Sequence, residues 1–555
     1  MTRLFRLLAL VLAPCLLAAA CGGGDDGDGG GAGEAGPNTT AAEEEEGAGE
    51  PVAGGELTVA FDAETNGGYC LPEAQLAGAG TQVVRTIYDT LGALNEDNEV
   101  EPFLAESIEP NSDFTEWTIT LRDGITFHDG SPLDAQIVAD NLNAYRGAYD
   151  KRSPLLFTFV LQNIADVQVA GPLEVRVAMK SPWAAFDQQL ALPRLSMVGR
   201  AQLDADDTTC ANQLVGTGPF SLDHWTVNSE LTVVKNPSYW MTDEAGRTLP
   251  YLDMITFRPI PDTTQRINAF EAGQIDVLQS PDAENLARRL RPGAEAGEFV
   301  VNEFAGGTTT HIILNASKPP FDNKDARLAV AHALDRDLLI EVVNAGITKK
   351  ANGPFQEGFL GYTEDTGFPE FDLEKVKEHA DAYQEATGEP LSFTYGHPAN
   401  EQNSRYAQEL ETQWTQAGLD VNIVPSGDQA QHINKAISGD FEAFIWTAHP
   451  GEDPDNQYIW WYGGSPVNFG RITDPEIDRL LDEGRGTTEG RDEIYLELNE
   501  RFGSEAYNVW LWHAIVATAH SNEVHGMLDT KLPSGNDFPL GRGGDLLTAT
   551  WLSRG

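Results

Sequence analysis

The run WTITLRDGITFHDGSPLDA, Trp117–Ala135, sets an imidazole beside a carboxylate at His128 and Asp129. Such a pair is the beginning of a general acid–base site, but proton transfer in catalysis needs a further group positioned at the reacting atoms, and the neighbouring sequence offers none. The residues around the pair have the pattern of scaffold. Trp117, Ile119 and Leu121 share one face and Thr118, Thr120 and Arg122 the other, as in a half-buried strand. Asp123-Gly124 has the composition of a two-residue hairpin turn, whose central residues need positive φ, and Ile125 and Phe127 carry the apolar face into a second strand. After another turn at Asp129-Gly130, Asp134 is placed to cap a helix that presents Ile137, Val138, Leu142 and Tyr145 to the interior. His128 is therefore expected to be architectural.

Cysteine is the next residue type with chemistry of its own, and the chain has 4. Arg3 and Arg6 precede an apolar run, Leu7–Ala20, that is too short to span a bilayer and ends in small residues, so residues 1–20 read as a signal peptide. Leu17-Ala18-Ala19-Ala20-Cys21 resembles a bacterial lipoprotein processing box, in which the cysteine becomes the lipid-bearing N-terminus; here the large aliphatic residue stands one position further from the cysteine than is usual. Cys15 leaves with the signal, and Cys70 and Cys210 remain in an oxidising compartment, where a disulfide between them is expected. Neither has a second Cys or His at zinc-like spacing, so metal ligation is not expected there. Residues 21–54, composed largely of Gly, Asp, Glu and Ala and including Glu43–Glu46, bury too little to fold and read as a solvated tether.

A chain of 555 residues exceeds what one core usually supports, so two or more domains are the default. With 36 basic against 86 acidic residues and a net charge of −50, nucleic acid is excluded as a partner, since its phosphates demand Lys and Arg. The enzyme fingerprints G-x-S-x-G, the Walker phosphate loop and H-E-x-x-H do not occur, which leaves a secreted hydrolase without a recognisable constellation. Glu56–Phe61 reads as a first strand, followed by a Gly-rich loop carrying Asn66, Tyr69 and Cys70. Helical patterns cover Lys324–Asn344, stopped by Gly346, and Asn403–Ala417, stopped by Gly418. LDVNIVP and FEAFIW follow helices as strands, which implies an α/β layer.

Beyond these local patterns, the chain resembles the family 5 extracellular solute-binding proteins, the oligopeptide, dipeptide and nickel receptors of bacterial ABC importers. The resemblance is carried, in family order, by Tyr88-Asp89-Thr90-Leu91, PFLAES at Pro102–Ser107, LRDGITFHDGSPLDA, GTGPF at Gly216–Phe220, Trp225 with KNPSYW at Lys235–Trp240, AFEAGQIDV at Ala269–Val277 and PPFDNKDARLAVAHALDR at Pro319–Arg336. It implies an α/β, bilobal fold of the type II periplasmic-binding-protein kind with an extra subdomain in the first lobe. The implied division is 55–90, 216–306 and 513–555 for lobe I, 91–215 for the subdomain and 307–512 for lobe II.

In peptide-binding relatives an edge strand pairs with the main chain of the ligand, and a W-x-x-D sequence near it supplies an Asp for the ligand ammonium. The matching segment here is FIWTAHPGEDPDNQYIWWYGG, Phe444–Gly464: Trp446 stands at the Trp, and His449 at the Asp. A His cannot supply a constant negative charge, although Glu452, Asp453 or Asp455 in the following turn could reach the same point. The resemblance thus implies ligand contacts from Trp446, Thr447, His449, Asp453 and Trp460, with Asn66 and Tyr69 facing them from the other lobe. The function it implies is non-enzymatic: a monomeric lipoprotein on the outer face of the cell membrane, held by a lipid on Cys21, that captures a peptide-like or similar organic solute without a cofactor and passes it to ABC permease subunits. Alternatives are a metal-chelate or nickel receptor, for which the scattered His397, His432 and His449 would have to converge, and a surface signalling or structural lipoprotein on the same fold.

Overall fold

The computed structural model describes residues 49–65, 68–74, 76, 78–154, 158–448, 453–539 and 547–554. The expected signal peptide, Cys21 and residues 21–48 of the tether lie outside the described residues, as do Asn66, His449 and Glu452.

The first strand, β1 (Glu56–Phe61), buries Leu57, Val59, Ala60 and Phe61. A short pair follows, β2 (Gly92–Leu94) and β3 (Val100–Pro102), and then four strands that form a sheet of their own: β4 (Ala105–Pro110), β5 (Glu116–Leu121), β6 (Ile164–Val169) and β7 (Glu174–Met179), in the order β4-β5-β7-β6. The main sheet is built from β1 with β8 (Phe220–Thr226), β9 (Glu230–Lys235), β10 (Met254–Pro259), β11 (Val277–Ser280), β12 (Val300–Leu314), β13 (Lys349–Lys350), β14 (Ser392–His397), β15 (Asp420–Pro425), β16 (Ala443–Ala448) and β17 (Asn508–His520). Its order is β15-β14-β16-β12-β17-β11-β1-β10-β9-β8, with β13 on β17. A last pair, β18 (Val524–His525) and β19 (Trp551–Leu552), lies near the end of the chain.

Two strands join the lobes. The antiparallel β12 and β17 are 15 and 13 residues long, and their register slips between Ala305 and Thr309. On one side of the slip Val300–Ala305 pair with Ile515–His520, next to β11 and β1; on the other Thr309–Leu314 pair with β16 as well as β17. A break in a ladder concentrates bending there, so the crossing is where the lobes are free to hinge. The cores follow this division only in part. Val84, Trp117, Tyr145 and Phe257 belong to a cluster that fills the first lobe and the four-stranded sheet and runs on to Phe444 and Phe469 of the second lobe, and Val330, Trp414, Tyr495 and Trp510 to the second lobe's own.

Within β5 the alternation is as expected, with Trp117, Ile119 and Leu121 buried. Gly124 and Gly130 take positive φ of 83° and 80°, and Asp134 caps the Ala135–Tyr145 helix by accepting from the Ile137 amide at 2.9 Å. The second hairpin strand does not form. β4 and β7 occupy both edges of β5, so the chain after Asp123-Gly124 has no edge to join; Ile125 and Phe127 are buried, but the ladder there is a single bridge between Thr126 and Pro132. The helix expected over Lys324–Asn344 is also two helices, Lys324–His332 and Arg336–Asn344, because Asp335 turns out of the helix and caps the second through the Leu338 amide at 3.0 Å.

His128 is a clamp. Its backbone amide donates to Gly216 O at 2.9 Å, its Nδ1 accepts from the Gly216 amide at 3.3 Å, and its Nε2 donates to Gly218 O at 3.0 Å. Burial lowers its pKa, which favours the neutral ring this arrangement requires. The clamp holds a turn that has no room for side chains: a Cβ at Gly216 would lie 1.9 Å from Ile87 O, and one at Gly218 2.6 Å from Ile87 C. The disulfide between Cys70 and Cys210 is present, with the Cα atoms 5.0 Å apart.

Candidate functional site

A cleft of about 1630 Å³ lies between the lobes. Its floor is the β12–β17 crossing, where Thr308, Thr310, Trp512 and Ala514 line it. The second-lobe wall is the end of β16. The ladder between β14 and β16 consists of Tyr395 with Ala443 and Gly396 with Phe444 and goes no further, while on its other edge β14 pairs with β15 from Ser392 to His397. Ile445, Trp446, Thr447 and Ala448 therefore line the cleft with one edge of their backbone lacking a strand partner among the described residues. His432 closes the ladder. Its Nε2 donates to the Ile445 carbonyl at 2.9 Å and its Nδ1 accepts from Ser426 Oγ at 2.6 Å, while its ring stacks on Phe444 and Trp446 at 4.3 and 5.8 Å. Burial lowers its pKa to about 4, so the ring is neutral near pH 7. Beyond it, Phe469 packs edge-on against Trp446 at 5.1 Å and lies 5.9 Å from Trp460, so both indoles stand on one aromatic support at the cleft.

On the first-lobe wall the chain leaves β1 through Asp62, Ala63, Glu64 and Thr65, which line the cleft. Glu64 accepts from the Trp225 indole and the Asn228 amide, which fixes that loop. Further along the wall a tight turn, Pro193–Leu195, brings Arg194 to the cleft. Near the hinge Arg405, from the second lobe, lies 3.3 Å from Asp282 and 3.0 Å from Glu284, both just after β11.

At the rim the four-stranded region meets the second lobe directly. Trp183 donates to Asp455 at 2.8 Å, Asp455 pairs with Arg485 at 2.7 Å, and the guanidinium of Arg485 lies 4.5 Å from the Trp183 ring and 3.4 Å from that of Tyr458. The Ala184 amide donates to Arg485 O at 2.8 Å, and Gln189 donates to Asn456 at 2.8 Å. The cleft is thus closed on this side by contacts of protein with protein.

The structure brings Trp446, Thr447 and Trp460 to the cleft and places Tyr69 and Asp453 behind it. Tyr69 is fully buried, its ring 5.3 Å from Trp225, and Asp453 is held by both terminal nitrogens of Arg491 at 2.7 Å each. Asp455 does line the cleft, but Arg485 and Trp183 occupy its carboxylate. Of the histidines considered as metal ligands, His432 has both ring nitrogens in use and His397 Nδ1 meets Pro398 O at 2.8 Å. Among the described residues no group of three or more His, Cys, Asp or Glu could hold a metal ion. Sequence reasoning passed over Arg194, Arg405 and Asp62–Thr65. The last of these adjoin the expected loop and could have been found from the end of β1; the two arginines carry no local signal.

Comparison with known proteins places this geometry. The family model for bacterial extracellular solute-binding proteins, family 5 Middle, matches residues 99–469. Glutathione-binding protein GsiB of Salmonella paratyphi A is 27% identical over 383 residues, covering 67% of this chain and 71% of that protein; GsiB of Escherichia coli K12 is 30% identical over 274 residues, covering 49% and 51%. Among solved structures, the binding protein AgaA of A. tumefaciens R10 with agropinic acid superposes with a TM-score of 0.79 at 24% identity, over 90% of this chain and 99% of that one. DppA of Helicobacter pylori with the peptide STSA superposes with a TM-score of 0.79 at 22% identity, over 91% and 99%. These likenesses agree with the bilobal α/β fold.

Proposed function

Because the chain belongs to family 5 of the bacterial extracellular solute-binding proteins, the receptors of ABC importers, we propose that its cleft captures a peptide-like solute by pairing with the free edge of β16 and delivers it to the membrane permease. The observation that carries this reading is the early end of the β14–β16 ladder. Backbone donors and acceptors from Trp446 to Ala448 face a cleft instead of a neighbouring strand, which suits an extended main chain arriving as an added strand. Trp446 and Trp460 give side chains of the solute an apolar surface, and the slip in β12 gives the lobes a place to bend around it. A relative named for glutathione and a structural neighbour holding a peptide support the class of solute.

The test is calorimetry with a tetrapeptide library and the same peptides N-methylated along the backbone. Each main-chain hydrogen bond lost should cost about 1 kcal/mol, so methylation should weaken binding by roughly tenfold or more. Equal affinity for both sets would remove strand addition from the account.

The same reading includes a lipid on Cys21 that holds the protein at the outer face of the membrane as a monomer. No helix among the described residues is long and apolar enough to cross a bilayer. Cys21→Ser cannot carry the lipid and should release or misprocess the protein; tight membrane retention of a processed Cys21→Ser protein would count against the anchor.

A further inference from the structure

We propose that the cleft selects a peptide whose side chains alternate between apolar and polar, an inference that rests on the reading of the β16 edge as the place where a solute main chain is added. Successive residues of a strand point to opposite faces of its sheet, and residues opposite each other on paired strands share a face. Where β16 meets the cleft its two faces are chemically unlike. Trp446 pairs with His311 of β12 and lies on the face covered by the helix Gln429–Ser438, whose His432 stacks on Phe444 and Trp446. Thr447 lies on the opposite face. It pairs with Thr310, which pairs in turn with Trp512, and the Trp512 ring packs 5.0 Å from that of Tyr406 in the helix Glu401–Gln416.

On the Trp446 face the cleft is lined by Ala430, Ile433 and Ile437, which follow one another at helical spacing, and by Phe469, edge-on to Trp446. The buried side of that helix is a different one, His432 and Ala436, and Ile437 is 38% exposed. A single exposed isoleucine needs no explanation. One that continues a wall of Trp446, Ile433 and Phe469 inside a cleft is apolar surface for a ligand to cover. On the Thr447 face the lining is Thr310, Thr447, Asn400, Gln402 and Asn403. Asn400 Oδ1 accepts from the Asn403 backbone amide and side chain at 2.8 and 3.0 Å, and Gln402 Nε2 donates to the Tyr406 hydroxyl at 2.8 Å. This leaves the Asn400 amide nitrogen and the Gln402 and Asn403 amide oxygens to meet a ligand. Arg405 of the same helix is taken up by Asp282 and Glu284. A solute residue opposite Trp446 therefore meets an apolar wall, and the next, opposite Thr447, meets amides and hydroxyls that need hydrogen bonds.

The test presents the full chain with two hexapeptides of one composition, half Leu and half Asn, in one of which the residues alternate while in the other the leucines form a block. Bound peptide is measured by mass spectrometry after equilibrium dialysis, with backbone N-methylated copies of both as a control for strand addition. The alternating peptide should be retained roughly tenfold better or more, because the block sets apolar groups against the amide face. Ile433→Asn/Ile437→Asn should bring the two peptides level, and Thr447→Leu should narrow the gap by accepting the block, with the melting of both variants checked against the wild type. Equal retention of the two by the wild type, with methylation still weakening both, would overturn the alternation and uphold the peptide reading. Retention of neither would overturn the peptide reading and the alternation with it. A preference that survives Ile433→Asn/Ile437→Asn in a folded variant would overturn the wall assigned here, and the wild-type comparison decides the alternation even if a variant fails to fold.

Discussion

The second-lobe rim and the first-lobe wall hold arginine in opposite ways, buried and ion-paired at the rim, half-buried and without an acid on the wall. At the rim Arg485 meets Asp455 and Arg491 meets Asp453, with Trp183 reaching across to share Asp455, and each of these four charges has its opposite inside the protein. On the wall Arg194 meets a single carbonyl. A set of charges that is complete within the chain can hold two surfaces together but has nothing left for a ligand. An incomplete one adds little to the fold and is available to whatever enters. The difference separates the residues that close the cleft from one that only lines it, although all lie around the same space.

Deleting an acid from the complete set is the most damaging test of this contrast. Asp455→Ala leaves Arg485 buried without a partner and Trp183 without an acceptor, and breaking a buried pair in this way costs about 3–5 kcal/mol. Arg194→Gln removes a cation that has no pair to lose, so stability without ligand should be unchanged or slightly higher. Urea midpoints of the two variants, measured without ligand, make the comparison. A large loss at Arg194→Gln would mean that the guanidinium is structural after all.

A smaller effect is expected from the disulfide. Leu76, whose carbonyl meets Arg194, follows the loop that Cys70 ties to Cys210 across 140 residues, so the bridge steadies the one partner Arg194 has. Removing a native bridge costs about 2–5 kcal/mol, and Cys70→Ser/Cys210→Ser should lose stability in that range. A urea midpoint equal to that of the wild type would mean that the bridge adds nothing to the fold.

How much of this could be read in the sequence follows from the distance over which each feature is encoded. β1, the alternation of β5, the Asp134 cap and the Gly418 stop are local, and periodicity or a single cap residue announces them. The scaffold role of His128 was legible because no third group stood near it, though its partners at Gly216 and Gly218 come from 88 and 90 residues away. The second hairpin strand was misread because β4 and β7 compete for the same edges, and nothing within the hairpin sequence records that competition. The same limit applies at the site. Trp446 and Thr447 were found because they sit on a recognisable strand, whereas the pairing of Asp453 with Arg491 and of Asp455 with Arg485 spans 38 and 30 residues and turned two candidate ligand groups into structural ones. Arg194 was invisible for a related reason: its distinction is an absent partner, and only packing defines what is absent.

The smallest expected effect probes the rim from its other side. Asp187, in the Phe186–Leu190 helix of the four-stranded region, has its pKa raised from 3.8 to about 6, mainly by burial, with the charge of Asp453 adding to the rise and the Gln188 amide and Arg491 opposing it. In the folded protein it therefore binds a proton more readily than in the unfolded chain. Between about pH 4 and 6 the folded state holds the extra proton, so the contribution of Asp187 to stability declines as pH rises through that window and returns as pH falls. Other acids titrate in the same range, and the contribution is isolated as the difference in urea midpoint between wild type and Asp187→Asn. That difference should move in favour of the variant between pH 4 and pH 7, by less than either change above, because Arg491 offsets part of the cost of the buried charge. A difference that stays flat with pH would place Asp187 in water, and the rim contacts would then be looser than the Asp455 pairing implies.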